Sequence, residues 1–367
     1  MFGGKVARAR GSLILRAMVC TGKWRRRSIG FATVLLATGC SVGALGQTIS
    51  GGDDSGCGAY ASIALPAEAE STTAPKEFPA CASYRSYRGI GRPVNDDEAR
   101  ACAWRERLAQ KAGLAQNPEE PTAWVVGGSL ILADIYFNGA GVKSDVPLAV
   151  HLACESEDGM ASLALRDITK LGGALPVHRP FEFCDYAATT FSENFCAGYS
   201  AEIANDRRRR YYQSLKASMS SQQRAAFEKL LAAEASFIEA HAREVDQGGS
   251  IRNIRTLGSQ NILNNLFHAE IVHAEHKEWP ALTEGDAGGA DAVLRGVYEE
   301  KLRKLRTNTQ DEIEGGAVTA DNLAKVEAKW EVFRDAWLAF ARLRYPAGAS
   351  RIVAEVTVER YRYLKTI

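Results

Sequence analysis

Eight cysteines, at positions 20, 40, 57, 81, 102, 154, 184 and 196, are the most chemically pointed residues of this 367-residue chain. None forms a Cys-x-x-Cys pair, and no histidine lies at zinc-finger spacing from a cysteine pair, so they read as disulfides rather than as metal ligands or nucleophiles. Cys184 to Cys196, CDYAATTFSENFC, closes a thirteen-residue loop at a helix start. A bond there contributes about 3 kcal/mol by loop entropy. His268, His273 and His276 lie beside Glu270 and Glu275. His273 and His276 share a helix face, but His268 falls about 140° round from His273, so no metal site is expected. Arg207 to Arg210 cover the whole circumference of a helix, with Glu202 and Asp206 within a turn, which predicts a solvated face with local ion pairs. Trp330, Arg334 and Asp335 are candidate binding residues. The competing expectation puts Trp330 in the core, with Arg334 along its face meeting a carboxylate from an opposing helix. There is no G-x-S-x-G, no H-E-x-x-H and no nucleotide fingerprint. Gly139 to Ser144 lacks the Gly-Lys-Ser order of a phosphate loop, because Val142 intervenes. Asp96-Asp97 and Glu119-Glu120 are adjacent in sequence and do not face each other across a cleft. The sequence therefore predicts no enzyme, no cofactor and no metal.

The elements that would position these residues are helical. Thr319 to Tyr345 has apolar residues at Leu323, Val326, Trp330, Phe333, Trp337 and Phe340, in steps of 3 and 4, with Thr319 as N-cap and Pro346 and Gly348 as stop. Ser220 to Gln223 is a capping box for a helix over 221–245, and further helices are expected over 198–219, 262–275, 290–305 and 353–364. Residues 286–367 repeat the plan of 184–285, Tyr211 aligning with Tyr298 and Leu215 with Leu302.

The formal charge of +1 hides an asymmetry. Residues 1–46 carry eight basic residues and no acidic one, leaving 37 basic against 44 acidic in the remainder, a net of −7. That balance argues against nucleic acid and for a basic protein partner. Arg25 to Arg27 followed by the apolar run Ile29 to Leu36 reads as a signal sequence over 1–46, too short to span a bilayer. Ala37-Thr38-Gly39-Cys40 resembles a lipobox with Cys40 as the lipidated residue, while Ala44-Leu45-Gly46 is an ordinary cleavage site. The expected location is the periplasm or outer envelope, with a membrane link only through such a lipid. Residues 47–80 read as a flexible stalk.

Within 81–183 a pattern recurs at an offset of fifty: Tyr87-Arg88-Gly89-Ile90-Gly91 returns as Phe137-Asn138-Gly139-Ala140-Gly141, and Asn95 as Asp145. The second copy, carried by Gly139, Gly141, Val142, Asp145 and Ala149, resembles the Sel-like relatives of tetratricopeptide repeats, which implies helical hairpins with a protein-binding surface. Cys81–Cys102 would tie the helices of the first repeat, with Cys57–Cys154 as the remaining pair. Spacing leaves these two pairings open. Residues 184–367 resemble the LprI-like lysozyme-inhibitor family. The match rests on Cys184 and Cys196, on Ala290-Asp291-Ala292, Leu294 and Tyr298, on Trp330, Arg334, Asp335 and Ala336, and on Glu355-x-Thr357-x2-Arg360-x3-Leu364. Arg295 stands where that family prefers Asn, and no cysteine follows Asp335. The resemblance implies an exported helical protein that binds and inhibits lysozyme-type muramidases. Arg351 is the residue assigned to meet such an enzyme's paired carboxylates. The overall expectation is an all-α protein: helical hairpin repeats (81–183), then two disulfide-supported bundle modules (184–285 and 286–367). It is a binding protein of the envelope, or an interaction scaffold without inhibitory activity.

Overall fold

A computed structural model describes residues 57–73, 75–114, 128–155, 164, 180–245, 247–282, 284–307 and 318–367. The signal sequence, Cys40, Glu119 and Glu120 lie outside these residues. Among the described residues there are eleven α-helices and no strand. They are α1 (Ala67–Ser71), α2 (Ser83–Arg88), α3 (Asp96–Lys111), α4 (Ser129–Asn138), α5 (Val146–Ala153), α6 (Thr190–Ala217), α7 (Ser221–His241), α8 (Arg252–Glu275), α9 (Glu284–Thr307), α10 (Ala320–Arg344) and α11 (Ala349–Thr366).

The two copies of the fifty-residue pattern fold alike. Gly89 and Gly139 cap α2 and α4 in the left-handed region, each at φ 68°, a conformation costly for any residue with a Cβ. Asn95 then caps α3 through Glu98 N and Asp145 caps α5 through Leu148 N, both at 3.0 Å. Each capping residue also donates its own N–H back to the preceding helix, Asn95 to Ser86 O at 3.0 Å and Asp145 to Tyr136 O at 2.9 Å. Side-chain caps and glycine turns at matching offsets are what made the repeat readable from sequence.

Three disulfides are formed, Cys57–Cys154, Cys81–Cys102 and Cys184–Cys196. The stalk reading needs correction from Cys57 onward. Cys57–Tyr60 is a 3-10 turn, and Ala69, Tyr60, Ile63, Leu65 and Phe78 join the first core. Glu68 of α1 accepts hydrogen bonds from Tyr136 and Trp104 and pairs with Arg100 at 3.0 Å. Small residues hid this segment's few apolar contacts, and a disulfide and one carboxylate hold it.

Two hydrophobic cores result. The first takes α1 to α5 and the N-terminal half of α6, through Tyr84, Trp104, Phe137, Cys196 and Tyr199. The second runs from Tyr212 in α6 to the C-terminus. The boundary drawn at 184 therefore falls inside the first core, and residues of the two proposed modules share the second core rather than building one each. Within it α7 packs on α10, and α11 on α9 and α10. All six residues of the α10 stripe are buried, Trp337, Leu323, Val326 and Phe340 completely so. Four helices, α6, α8, α9 and α11, begin earlier than the apolar spacing predicts. The start of α6 is set by a Thr189–Ser192 capping box, and α8 extends back to Arg252 on a largely polar turn.

Candidate functional site

Where α6 leaves the first core, a cleft of about 730 Å³ opens beside the Cys184–Cys196 bond. Glu182, Asp185 and Glu193 line it with Arg88 and Arg207. Arg88, the last residue of α2, lies against Tyr87 and Tyr199 with its guanidinium carbon 4.7 and 5.8 Å from the ring centroids. Its Nε donates to the Tyr199 hydroxyl at 2.7 Å, and its Nη2 donates to Asp134 Oδ2 at 3.4 Å and to Glu182. Phe183 N donates to the other Asp134 oxygen at 3.3 Å. Burial pushes the Asp134 carboxyl well up, with Glu182 adding to the effect and Arg88 opposing it. Burial raises Glu182 as well. Two carboxyls that share one guanidinium, one of them fully buried, have the residue types of an acid–base pair. Access decides against that use: the space at Asp134 measures about 10 Å³, enough for one water at most. Glu182 alone of the two reaches the cleft, where the arrangement fixes a charged wall.

A second polar constellation lies in the other core. Arg360 holds both oxygens of Glu244 at 2.8 Å and reaches Glu327 at 3.0 Å. Beside it His241 Nδ1 meets Ser259 Oγ at 3.3 Å, and its Nε2 lies 3.7 Å from Glu244 Oε2. Serine, histidine and glutamate are the residue types of a hydrolytic triad. Here burial, then Arg360, push the imidazole down to about 3, far too weak a base to activate serine at neutral pH. Both Glu244 oxygens are already taken by Arg360. The cluster is a lock joining the end of α7 to α10 and α11.

The sequence-derived binding residues are divided by the structure. Trp330 is 2% exposed and belongs to the core, so it is no recognition surface. Arg334 lies 5.2 Å over its ring, meets Asp291 of α9 at 3.3 Å and pairs with the neighbouring Asp335 at 2.9 Å. Arg351 is exposed, but on the first turn of α11 rather than in a loop, and it has no ion pair among the described residues. Of the arginine run, Arg209 and Arg210 pair with Asp206, as charge spacing implied. Glu202 instead pairs with Arg85, while Arg207 reaches the cleft and Arg208 is buried. His268, His273 and His276 form no cluster of potential ligand atoms among the described residues. The one cluster of potential ligand atoms among the described residues is Cys81, Cys102 and Glu106, whose sulfurs are bonded to each other. Asp134, Glu182 and Tyr199 were not found by sequence reasoning. The available signal was Asp134 itself, the lone charge inside the apolar run LILADIYF.

Buried carboxyls set the pH response. Burial raises Glu106 to about 7, Glu234 to about 8 and Glu270 to about 7, against an ordinary 4.5. The folded state then holds more protons than the unfolded one, so this stability is complete below about 4.5 and is lost as pH rises towards 8. His241, lowered from 6.5 to about 3, works oppositely, mainly between those two values. From pH 6.5 to 8 the carboxyls outweigh the histidine, and stability should fall by roughly 3 kcal/mol in urea unfolding at the two pH values. The Glu234→Gln variant should show a smaller fall.

Comparison of the chain with protein families, characterised proteins and solved structures finds no match. The fold defines a broad class, a disulfide-bonded all-α protein. Its three bonds indicate an oxidising, exported location. No helix among the described residues is long and apolar enough to cross a membrane.

Proposed function

We propose that the protein is an exported binding protein of the cell envelope and that its working surface is the cleft beside Cys184–Cys196. The observation that carries this reading is the cleft itself, about 730 Å³ and walled by charged side chains held on disulfide-tied helices. Such a wall receives a partner's side chains without first having to be ordered, which limits the entropy lost on binding. The excess of acidic residues after position 46 favours a basic partner and speeds its approach. The resemblance of 184–367 to LprI-like proteins makes that partner a lysozyme-type muramidase. Arg351, exposed and without an ion pair among the described residues, is the donor this reading assigns to the enzyme's carboxylates. Retention in the envelope is through a lipid on Cys40, or else the chain is released after Gly46, which the mass of the exported protein distinguishes.

The test is inhibition of a basic lysozyme by the purified oxidised protein at low and physiological salt. Inhibition is expected to weaken with salt, and at least fivefold more with Glu193→Lys in the cleft wall. If Arg351→Ala inhibits as well as the parent, Arg351 is not the donor. If micromolar protein fails to inhibit at either salt, the muramidase reading is removed and an interaction scaffold, using the surface of the helical hairpins, stands in its place.

A further inference from the structure

Three arginines are buried among the described residues: Arg107, Arg208 and Arg360. Arg107 holds both oxygens of Glu155, and Arg360 holds Glu244 and Glu327. Arg208, 6% exposed, is the exception. Its hydrogen bonds go to neutral amide oxygens: Nη1 to Asn265 Oδ1 at 2.5 Å and Asn261 Oδ1 at 3.4 Å, Nη2 to Asn205 Oδ1 at 2.5 Å and Asn261 Oδ1 at 3.4 Å. It makes no ion pair among the described residues. The carboxyl whose field it feels most, after that of the Tyr212 ring, belongs to Glu234, and burial raises Glu234 to about 8, so at neutral pH that group is largely uncharged. A desolvated cation with only neutral partners is costly, and an arriving anion would relieve the cost.

The surroundings are arranged for one. Asn205, Arg208 and Tyr212 follow one another in helical steps along α6, and Asn261, Asn265 and His268 do the same along α8, which packs against it. Among the described residues the buried Tyr212 hydroxyl has no hydrogen-bond partner, nor has the buried His268 Nδ1, and the two rings stand 5.6 Å apart. The asparagine oxygens accept from Arg208, and each side chain keeps its Nδ2 amide as a further donor. Ile262 and Leu266, next in sequence to Asn261 and Asn265, are 62% and 44% exposed. We propose that this seam between α6 and α8 is a receptor for a carboxylate carried on a small apolar body, with Arg208 as the cation and Asn261 and Asn265 as flanking donors. The C-terminal leucine of a peptide has that chemistry. On α6 the seam lies on a different face from Cys196, Ile203 and Arg207, which line the cleft, while on α8 the cleft residue Ile254 lies two turns before Asn261; the proposal does not rest on the cleft's function.

Calorimetric titration of the full oxidised protein with N-acetyl-leucine tests it, with N-acetyl-leucinamide and acetate as controls. N-acetyl-leucine should bind saturably at millimolar concentration, with the uncharged amide at least tenfold weaker and acetate weaker than N-acetyl-leucine. Asn265→Asp places a carboxylate of the protein's own beside Arg208. It should weaken binding at least tenfold and raise the unfolding temperature. Equal binding of acid and amide, undiminished binding by Asn265→Asp, or no saturable binding overturns the proposal. Acetate binding as tightly as N-acetyl-leucine overturns the apolar part of it.

Discussion

Replacing Arg360 with methionine should destabilise the protein by about 3–5 kcal/mol, measured as the loss of unfolding free energy in urea. The guanidinium is the sole ion-pair partner of Glu244 among the described lysines and arginines and holds Glu327 as well, and all three side chains are nearly inaccessible to solvent. Removing it strands two carboxylates in a site walled by Phe237 and Tyr363. The loss reflects those stranded charges more than the worth of the salt bridge. A triple variant, Arg360→Met with Glu244→Leu and Glu327→Leu, should therefore recover most of the stability. Arg360→Lys keeps the charge but forfeits the two-pronged grip on Glu244, and should fall between the parent and Arg360→Met. If the triple variant is no more stable than Arg360→Met, packing and not charge governs the site.

The second large effect is expected at Cys57–Cys154. This bond spans 97 positions, against 21 for Cys81–Cys102 and 12 for Cys184–Cys196. Loop entropy ranks their contributions at about 4.7, 3.4 and 2.9 kcal/mol. The Cys81–Cys102 loop lies wholly within the larger one, so the two contributions are not additive. Pairwise alanine variants should lose stability in that order, with Cys57→Ala/Cys154→Ala the most affected. That variant should also expose 57–73 to protease, because with the cross-link gone Glu68 remains the main polar tie of this segment. If this pair costs less than the thirteen-residue loop, the loop-entropy account fails for this protein.

Local features were legible in the sequence. The α10 stripe, the Ser220–Gln223 box and the glycine turns of the repeat each depend on residues within a few positions of one another, and the structure forms all of them. The packing of Arg334 on Trp330 was also readable, since i and i+4 residues on a helix must meet. What escaped depends on distant partners. Arg88 gains its meaning from Asp134 and Glu182, 46 and 94 residues away. Arg360 gains its own from Glu244, 116 residues earlier. Arg208 looked like one member of a solvated charge run, because no local rule says which of four successive arginines will face a neighbouring helix.

The 28-residue helix α6 contributes Cys196 and Tyr199 to one core and Tyr212 and Leu215 to the other. A gene cut anywhere between the two cores would sever this helix and leave each product with a frayed, half-apolar end. Exchange of parts with other proteins is thereby discouraged at the place where the chain looks most divisible, and the halves are bound to be inherited together.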